Sequence, residues 1–371
     1  MKNKIAVIGL KGLPAYGGAA TVGENIIEQL KDNYDFTVYS TSLHTHLKTG
    51  NYKDICYQKV FKAVSLKKLN SLLYYIRAAF HVFFKKYDLV HLHHRDAAFI
   101  VPFLKLKCPV LLTTHGITGR AKKWRRYKWF FDIQLKCFVP LANKVTCVSQ
   151  NEKRGLKNNW NINAEYIPNG INNKQIINIK KGFLPSPSNT SKNNNYITFA
   201  AGRIIEFKGL DILLKAIKLI KNPPTLKIIG DINHENDYRI LIEKLAEGIN
   251  IEFLGLIKNK KKLFEIISDS LFFVFPSRQE AMSIMLLEVA SLQVPIIASD
   301  IVENKDVFSK EDVLFFESES VTSLAKKIEW ALANKHKLND YSKRAFNKLL
   351  RDYSWDAIAI KYSAIYKELI K

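Results

Sequence analysis

Cysteine is scarce and unpatterned in this 371-residue chain. Its four cysteines, Cys56, Cys108, Cys137 and Cys147, all lie in the first half, and none forms a Cys-x-x-Cys pair or a metal-like Cys/His spacing. That argues against a disulfide scaffold and a zinc module and fits idle thiols in a reducing cytosol. No uninterrupted apolar run reaches about 18 residues, so no transmembrane helix is expected. The opening MKNKIAVIGL has an apolar run about one strand long that meets Lys11 and a Gly/Pro turn without a small-residue cleavage pattern. It reads as a strand, not a signal peptide. Two glycine patterns are missing as well. There is no G-x-x-x-x-G-K-[ST] phosphate loop and no G-x-G-x-x-G, which weighs against a dinucleotide enzyme. Acid is short on one side of the chain: residues 1–180 hold 29 Lys/Arg against 10 Asp/Glu, whereas residues 181–371 hold 28 against 24. The net charge of +23 therefore belongs mostly to the first half. Such a field attracts nucleic acid, an anionic membrane or a phosphorylated lipid.

What is present is globular and repeats one architecture. Hydrophobic residues make up 47% and charged residues 25% of the chain. That suits two domains of roughly 150–200 residues each. In the first half, KIAVIGL (from Lys4), FTVYS (from Phe36), DLVHLHH (from Asp88), PVLLTTH (from Pro109) and KVTCVS (from Lys144) read as buried strands, with amphipathic helical stretches between them. FLPSPSNTSKNNN, residues 183–195, is polar and reads as a linker or exposed loop. The pattern then restarts with YITFAAG, TLKIIG, INIEFLG, SLFFVFP and VPIIAS as strands, and it closes on an amphipathic helix over residues 356–370. Alternating β and α predicts an α/β fold with parallel sheets, whose ligands sit at the carboxyl ends of the strands.

Four segments could carry chemistry. In GLKGLPAYGGAATVGENII, residues 9–27, Gly12, Gly17 and Gly18 would let backbone approach a ligand. The helix start beyond them would favour a phosphate; the plainer reading is a tight turn that needs glycine. In TTHGITGR, His115 ends a strand, with Gly116 after it. It could meet a sugar hydroxyl, or a phosphate if protonated, although a lone histidine is more often structural. His93 and His94 are lesser candidates at another strand end. In AAGRIIEFKG, Arg203 and Lys208 place two cations on one strand-to-helix connection, able to grip a diphosphate and stabilise it as a leaving group. In SRQEAMSIMLLEVA, Glu280 and Glu288 could accept the paired hydroxyls of a ribose or hexose, and the turn Ala281, Met282, Ser283, Ile284 could offer N–H groups. Glu288 sits among Leu286, Leu287, Val289 and Ala290, so it calls for a partner.

The ordered set GLPAYGG, THG, VSQNEK, IPNG, GRIIEFKG, IIGD, FLG and FPSRQEAMSIMLLEVA resembles family 4 of the retaining GT-B glycosyltransferases of bacterial surface polysaccharides. The resemblance covers nearly the whole chain. It implies two Rossmann-like domains facing across a cleft: residues 1–180 for the acceptor, residues 196–354 for the nucleotide sugar, a linker over 181–195, and a helix from 355 to 371 crossing back to the first domain. Gly17 and Gly18 would lie beside the donor pyrophosphate, which Arg203 and Lys208 would grip. Glu280 would bind the donor sugar, Glu288 the ribose, and His115 the sugar. Ala281 and Ser283 stand where many relatives have glycine, which stiffens the loop and obscures the donor's identity.

The chain has no Asp-x-Asp, so no metal and no further cofactor are expected. Retention would follow from same-face attack, without an enzyme nucleophile. The acceptor is hinted at by charge and aromatics. The stretch from Leu66 to Lys86 and the stretch GRAKKWRRYKWFF, from Gly119 to Phe131, suit an anionic membrane interface. A glycolipid or polysaccharide acceptor at the inner face of the cell membrane is the expectation, although part of the first stretch must pack on the sheet. A GT-B epimerase or phosphorylase is the nearer rival. A nucleic-acid binder is the farther one, since no zinc spacing, RNP-like motif or basic zipper occurs.

Overall fold

Mostly apolar runs of up to nine residues form the strands, and amphipathic segments between them cover the sheet faces. The structure is a computed structural model that describes residues 1–15, 18–64, 69–116, 128–171 and 195–371. These divide into two compact units, Met1–Gly170 with Trp355–Lys371, and Ile171–Ser354. Gly17, most of residues 119–131 and all but Asn195 of the linker over 181–195 lie outside the described residues.

In the first unit the strands are β1 (Asn3–Lys11), β2 (Tyr34–Thr41), β3 (Gly50–Tyr52), β4 (Cys56–Phe61), β5 (Leu89–His93), β6 (Val110–Thr114), β7 (Lys144–Cys147) and β8 (Glu165–Tyr166). They form one sheet in the order β3-β4-β2-β1-β5-β6-β7-β8. Every pair is parallel except β3 with β4. The order reverses at β1, which has β2 on one side and β5 on the other. That is where an open sheet of this kind leaves a crevice at its carboxyl edge. Helices α1 (Gly18–Leu30), α2 (Asn70–Phe83) and α3 (Gln150–Trp160) belong to the same unit.

The second unit holds β9 (Tyr196–Arg203), β10 (Thr225–Asp231), β11 (Ile251–Gly255), β12 (Phe273–Phe275), β13 (Ile296–Ser299) and β14 (Leu314–Phe316). Their order is β11-β10-β9-β12-β13-β14, all parallel, with the reversal at β9. The helices used below are α4 (Leu210–Ile217), α5 (Lys260–Ser268) and α6 (Ile284–Ser291).

The last helix, α7 (Trp355–Leu369), packs on the first unit and not on the unit that precedes it in the chain. Its buried stripe is Trp355, Ile358, Ala359, Tyr362, Ile365 and Tyr366. Each large side chain of that stripe contributes about 1.5–3 kcal/mol of burial. Gly170, the glycine of IPNG, makes room for it: a Cβ there would stand 2.6 Å from Ile358 and 2.9 Å from Trp355. The Tyr34 hydroxyl is 3.2 Å from Ser363 Oγ, and the Tyr366 hydroxyl lies 2.8 Å from His91 Nδ1.

Candidate functional site

In the second unit the site is built at the ends of β9 and β12. After β9 the chain makes one tight turn, Glu206–Lys208, and enters α4 through Gly209 in the left-handed region, φ +67°. A Cβ at Gly209 would collide with the Pro276 carbonyl, so only glycine lets the turn press against the end of β12. That approach joins two segments distant in sequence. Lys208 Nζ lies 2.6 Å from Glu280 Oε1, and Ser277 Oγ donates to the same oxygen at 2.7 Å. Glu280 Oε2 takes no hydrogen bond among the described residues and is free for a hydroxyl donor. Arg203, at the end of β9, is exposed and has no ion-pair partner among the described residues. Lys208 and Arg203 thus differ in state. One cation is held by a carboxylate, and the other is open to an incoming anion.

Arg278 braces this turn from below. It grips Asp211 with two bonds, 2.7 and 2.9 Å, donates to the Glu206 carbonyl at 2.8 Å, and pairs with Glu319 at 2.9 Å. Tyr238 donates to Asp211 Oδ1 at 2.9 Å. Burial alone would raise the Asp211 carboxyl, but the Arg278 bonds overcome it and hold it below the usual carboxylate range. Arg278 went unnoticed in the sequence, although it follows Ser277 in the same motif.

Glu288 lies in the second turn of α6 and is 8% exposed. Its partner is Lys260, the first residue of α5, whose Nζ stands 2.6 Å from Glu288 Oε1. The apolar neighbourhood of Glu288 signals the need for such a partner; nothing in the sequence singles out Lys260. Ser283 caps α6, accepting from Leu286 N at 3.4 Å. The first N–H groups of the helix, after Ala281 and Met282, stand at the positive end of its dipole.

In the first unit the β1 turn is fixed by close backbone approach. Gly9 has φ +110°, and a Cβ there would collide with the His93 carbonyl. Gly12 is pressed in the same way against the His44 carbonyl. The Gly9 N–H donates to the Tyr74 hydroxyl (2.9 Å), Leu13 N–H to Gln58 Oε1 (2.8 Å) and Ala15 N–H to Glu24 Oε2 (2.9 Å). These three donors are therefore engaged within the protein, which narrows the anion-binding capacity expected of this turn. Gly18 opens α1 with open space around its Cβ position.

Beside this turn is a histidine cluster. His115 Nε2 and His93 Nδ1 are 3.0 Å apart, their rings stacked at 12°. His91 bonds Tyr366 and, at 2.7 Å, Thr113. Burial pushes all of them down: His91 to about 3, His94 to about 4, and His93 and His115 well below the ordinary histidine value. His115 is thus held neutral. Burial thus favours the hydroxyl-bonding option of the two that the sequence left open for His115. Glu152, in the segment VSQNEK, accepts the Gly116 N–H with both oxygens at 3.1 Å while Ser149 caps α3. The THG and VSQNEK segments are thereby joined at the loop that carries His115.

Comparison with known proteins bears on this arrangement directly. The model described as Glycosyltransferase Family 4 matches residues 16–175, and that of Glycosyl transferases group 1 matches residues 185–348. The chain belongs to glycosyltransferase family 4. The fold of this glycosyltransferase is GT-B: sucrose-phosphate synthase from Thermosynechococcus elongatus superposes with a TM-score of 0.82 at 20% identity, over 99% of each chain. An uncharacterised glycosyltransferase of Methanocaldococcus jannaschii is 25% identical over 96% of each chain. The UDP-Gal:alpha-D-GlcNAc-diphosphoundecaprenol alpha-1,3-galactosyltransferase of Escherichia coli is 24% identical over 77% of this chain and 76% of its own. The capsular polysaccharide biosynthesis glycosyltransferase CapM of Staphylococcus aureus is 27% identical over 47% of this chain and 48% of its own.

Proposed function

We propose that this glycosyltransferase moves a hexose, with retention and without a metal ion, from a nucleoside diphosphate to a lipid-linked or polysaccharide acceptor in surface-glycan synthesis. The observation that carries the reading is the pair of carboxylates, Glu280 and Glu288, each anchored through Oε1 by a lysine at 2.6 Å. Each then keeps a second oxygen for substrate hydroxyls: Glu280 for the sugar, Glu288 for the ribose. Arg203 and Lys208 supply the positive charge that stabilises the leaving diphosphate, a role elsewhere filled by a divalent ion. The acceptor hydroxyl attacks C1 from the face the diphosphate leaves, and the departing phosphate oxygen takes its proton. The second unit holds the nucleotide sugar and the first the acceptor, for which His115 is a hydrogen-bonding group suited to a hydroxyl. The names of the Escherichia coli and Staphylococcus aureus relatives favour a uridine donor, a diphosphate-linked acceptor and a capsule-like product.

A membrane-facing surface on the first unit fits that acceptor. Along α2, Tyr74, Tyr75, Ala78, Ala79 and Val82 face the core, while Leu72 and Phe80 are exposed, followed by exposed Phe84, Lys85 and Lys86. No helix among the described residues is long and apolar enough to cross a membrane. The test is transfer from UDP-hexoses to a lipid diphosphate-linked acceptor, with the product anomer read by NMR. Retained configuration, unchanged rate in EDTA and no transfer by Glu288→Ala support the reading. Inversion, or abolition by EDTA with rescue by a divalent ion, would sink it.

A further inference from the structure

A second basic feature lies at the other edge of the first sheet, away from the glycine turn and the histidines. There, at the amino ends of β1, β2 and β4, a cavity of about 610 Å³ opens to solvent. Lys2, Lys4, Lys31, Lys85 and Lys86 line it, drawn from the start of β1, the end of α1 and the segment after α2. Four of these lysines are exposed, Lys31 is half-buried, and none forms an ion pair among the described residues. Asp35 and Asp54 also line the cavity without pairing to them, which leaves a net +3. Lys2 Nζ donates to the Lys31 carbonyl at 3.0 Å, which holds its chain along the rim. Tyr57 and Tyr87 complete the wall.

Five lysines around one concavity repel one another, and the two carboxylates present do not neutralise them. A multivalent anion does so at once, and lysine is a point-charge binder suited to phosphate oxygens. The volume exceeds what one phosphate needs. The strands run from this edge to the glycine turn, so a ligand here lies a full strand length, on the order of 20 Å, from that turn.

We propose that this cavity is a binding site for a multivalent phosphate-type anion, separate from the donor site and contiguous, through Lys85 and Lys86, with the membrane-facing end of α2. The ligand is either a free polyphosphate or the headgroup of an anionic lipid, both of which present the same oxygens. The reading does not depend on the proposed transferase specificity.

The test is calorimetric titration of the full chain with inorganic tripolyphosphate at low salt, comparing wild type with Lys4→Gln/Lys31→Gln. Saturable binding, weakened tenfold or more in the double variant and by added salt, is expected. Arg203→Ala, which lacks the open cation of the donor site, should bind tripolyphosphate as wild type does, whereas its thermal shift with UDP should be lost. That separates this cavity from the donor site. Displacement of tripolyphosphate by phosphatidylglycerol vesicles would identify a lipid headgroup, and failure to displace it a free anion; both support the site. Equal tripolyphosphate affinity in wild type and double variant, or no saturable binding to either, would overturn it. A double variant that keeps the wild-type melting temperature rules out misfolding as the cause.

Discussion

Lys260 Nζ stands 2.6 Å from Glu288 Oε1, joining the first residue of α5 to the second turn of α6. Lysine is half exposed here and glutamate is buried. The pair therefore adds little to stability, about 0–1 kcal/mol. Its effect is to orient the carboxylate. Lys260→Ala should leave urea unfolding within about 1 kcal/mol of wild type while raising the KM for the donor. Glu288→Gln should cost more, about 1.5–3 kcal/mol of donor binding as a charged hydrogen bond is lost. Steady-state kinetics with varied donor checks both.

Lys208 and Glu280 should behave as one unit. Lys208→Ala removes a diphosphate contact and frees Glu280 from its anchor, so kcat should fall by about 10²–10³. Glu280→Ala should fall by a similar factor, and the double variant by far less than the product of the two. A full double-mutant cycle in kcat measures the coupling. Additive losses would show that the ion pair has no part in catalysis.

Gly209→Ala should be destabilising out of proportion to one methyl group. The residue is left-handed, and its Cβ would meet the Pro276 carbonyl. Strain of about 1–3 kcal/mol is expected in urea unfolding, together with loss of activity as Lys208 is displaced from Glu280.

The histidine cluster predicts acid sensitivity with a definite sign. His91 is fully buried and neutral, its value lowered to about 3 from the ordinary 6.5. The unfolded chain binds a proton that the folded one refuses. The stability it contributes is full above pH 6.5 and is lost as the pH falls from there toward the folded value. The slope is about 1.4 kcal/mol per pH unit for each such histidine. Urea unfolding at pH 7.5, 6.0 and 5.0 should show falling stability, and His91→Gln should flatten the slope.

Much of the fold was legible because both sheets, the β3–β4 edge aside, are parallel and buried, which turns most of their strands into apolar runs. The strands that escaped notice, β3, β8 and β14, are two or three residues long, too short for any period to appear. β4, CYQKVF, mixes polar and apolar residues and lies one strand from the sheet edge. At the site, Glu280, Glu288 and Lys208 stood out because strand ends and apolar neighbours mark them. Their pairing did not. Lys260 lies in a run of near-identical lysines, and only the packing of α5 beside α6 selects it. In HLHH, alternation places His91 and His93 on one face of β5, but the hydroxyl that holds His91 comes from Tyr366, 275 residues later. Pairings of that span arise from tertiary closure and leave no local trace.

The return of α7 to the first unit has a consequence for synthesis. The first unit's sheet leaves the ribosome before the second unit does, yet the stripe that seals it, from Trp355 to Tyr366, is made only after the whole of the second unit. At roughly 5–20 residues per second, the nascent sheet waits tens of seconds with that apolar face uncovered. The second unit is meanwhile translated whole and is free to fold first, so the first unit is completed only after it.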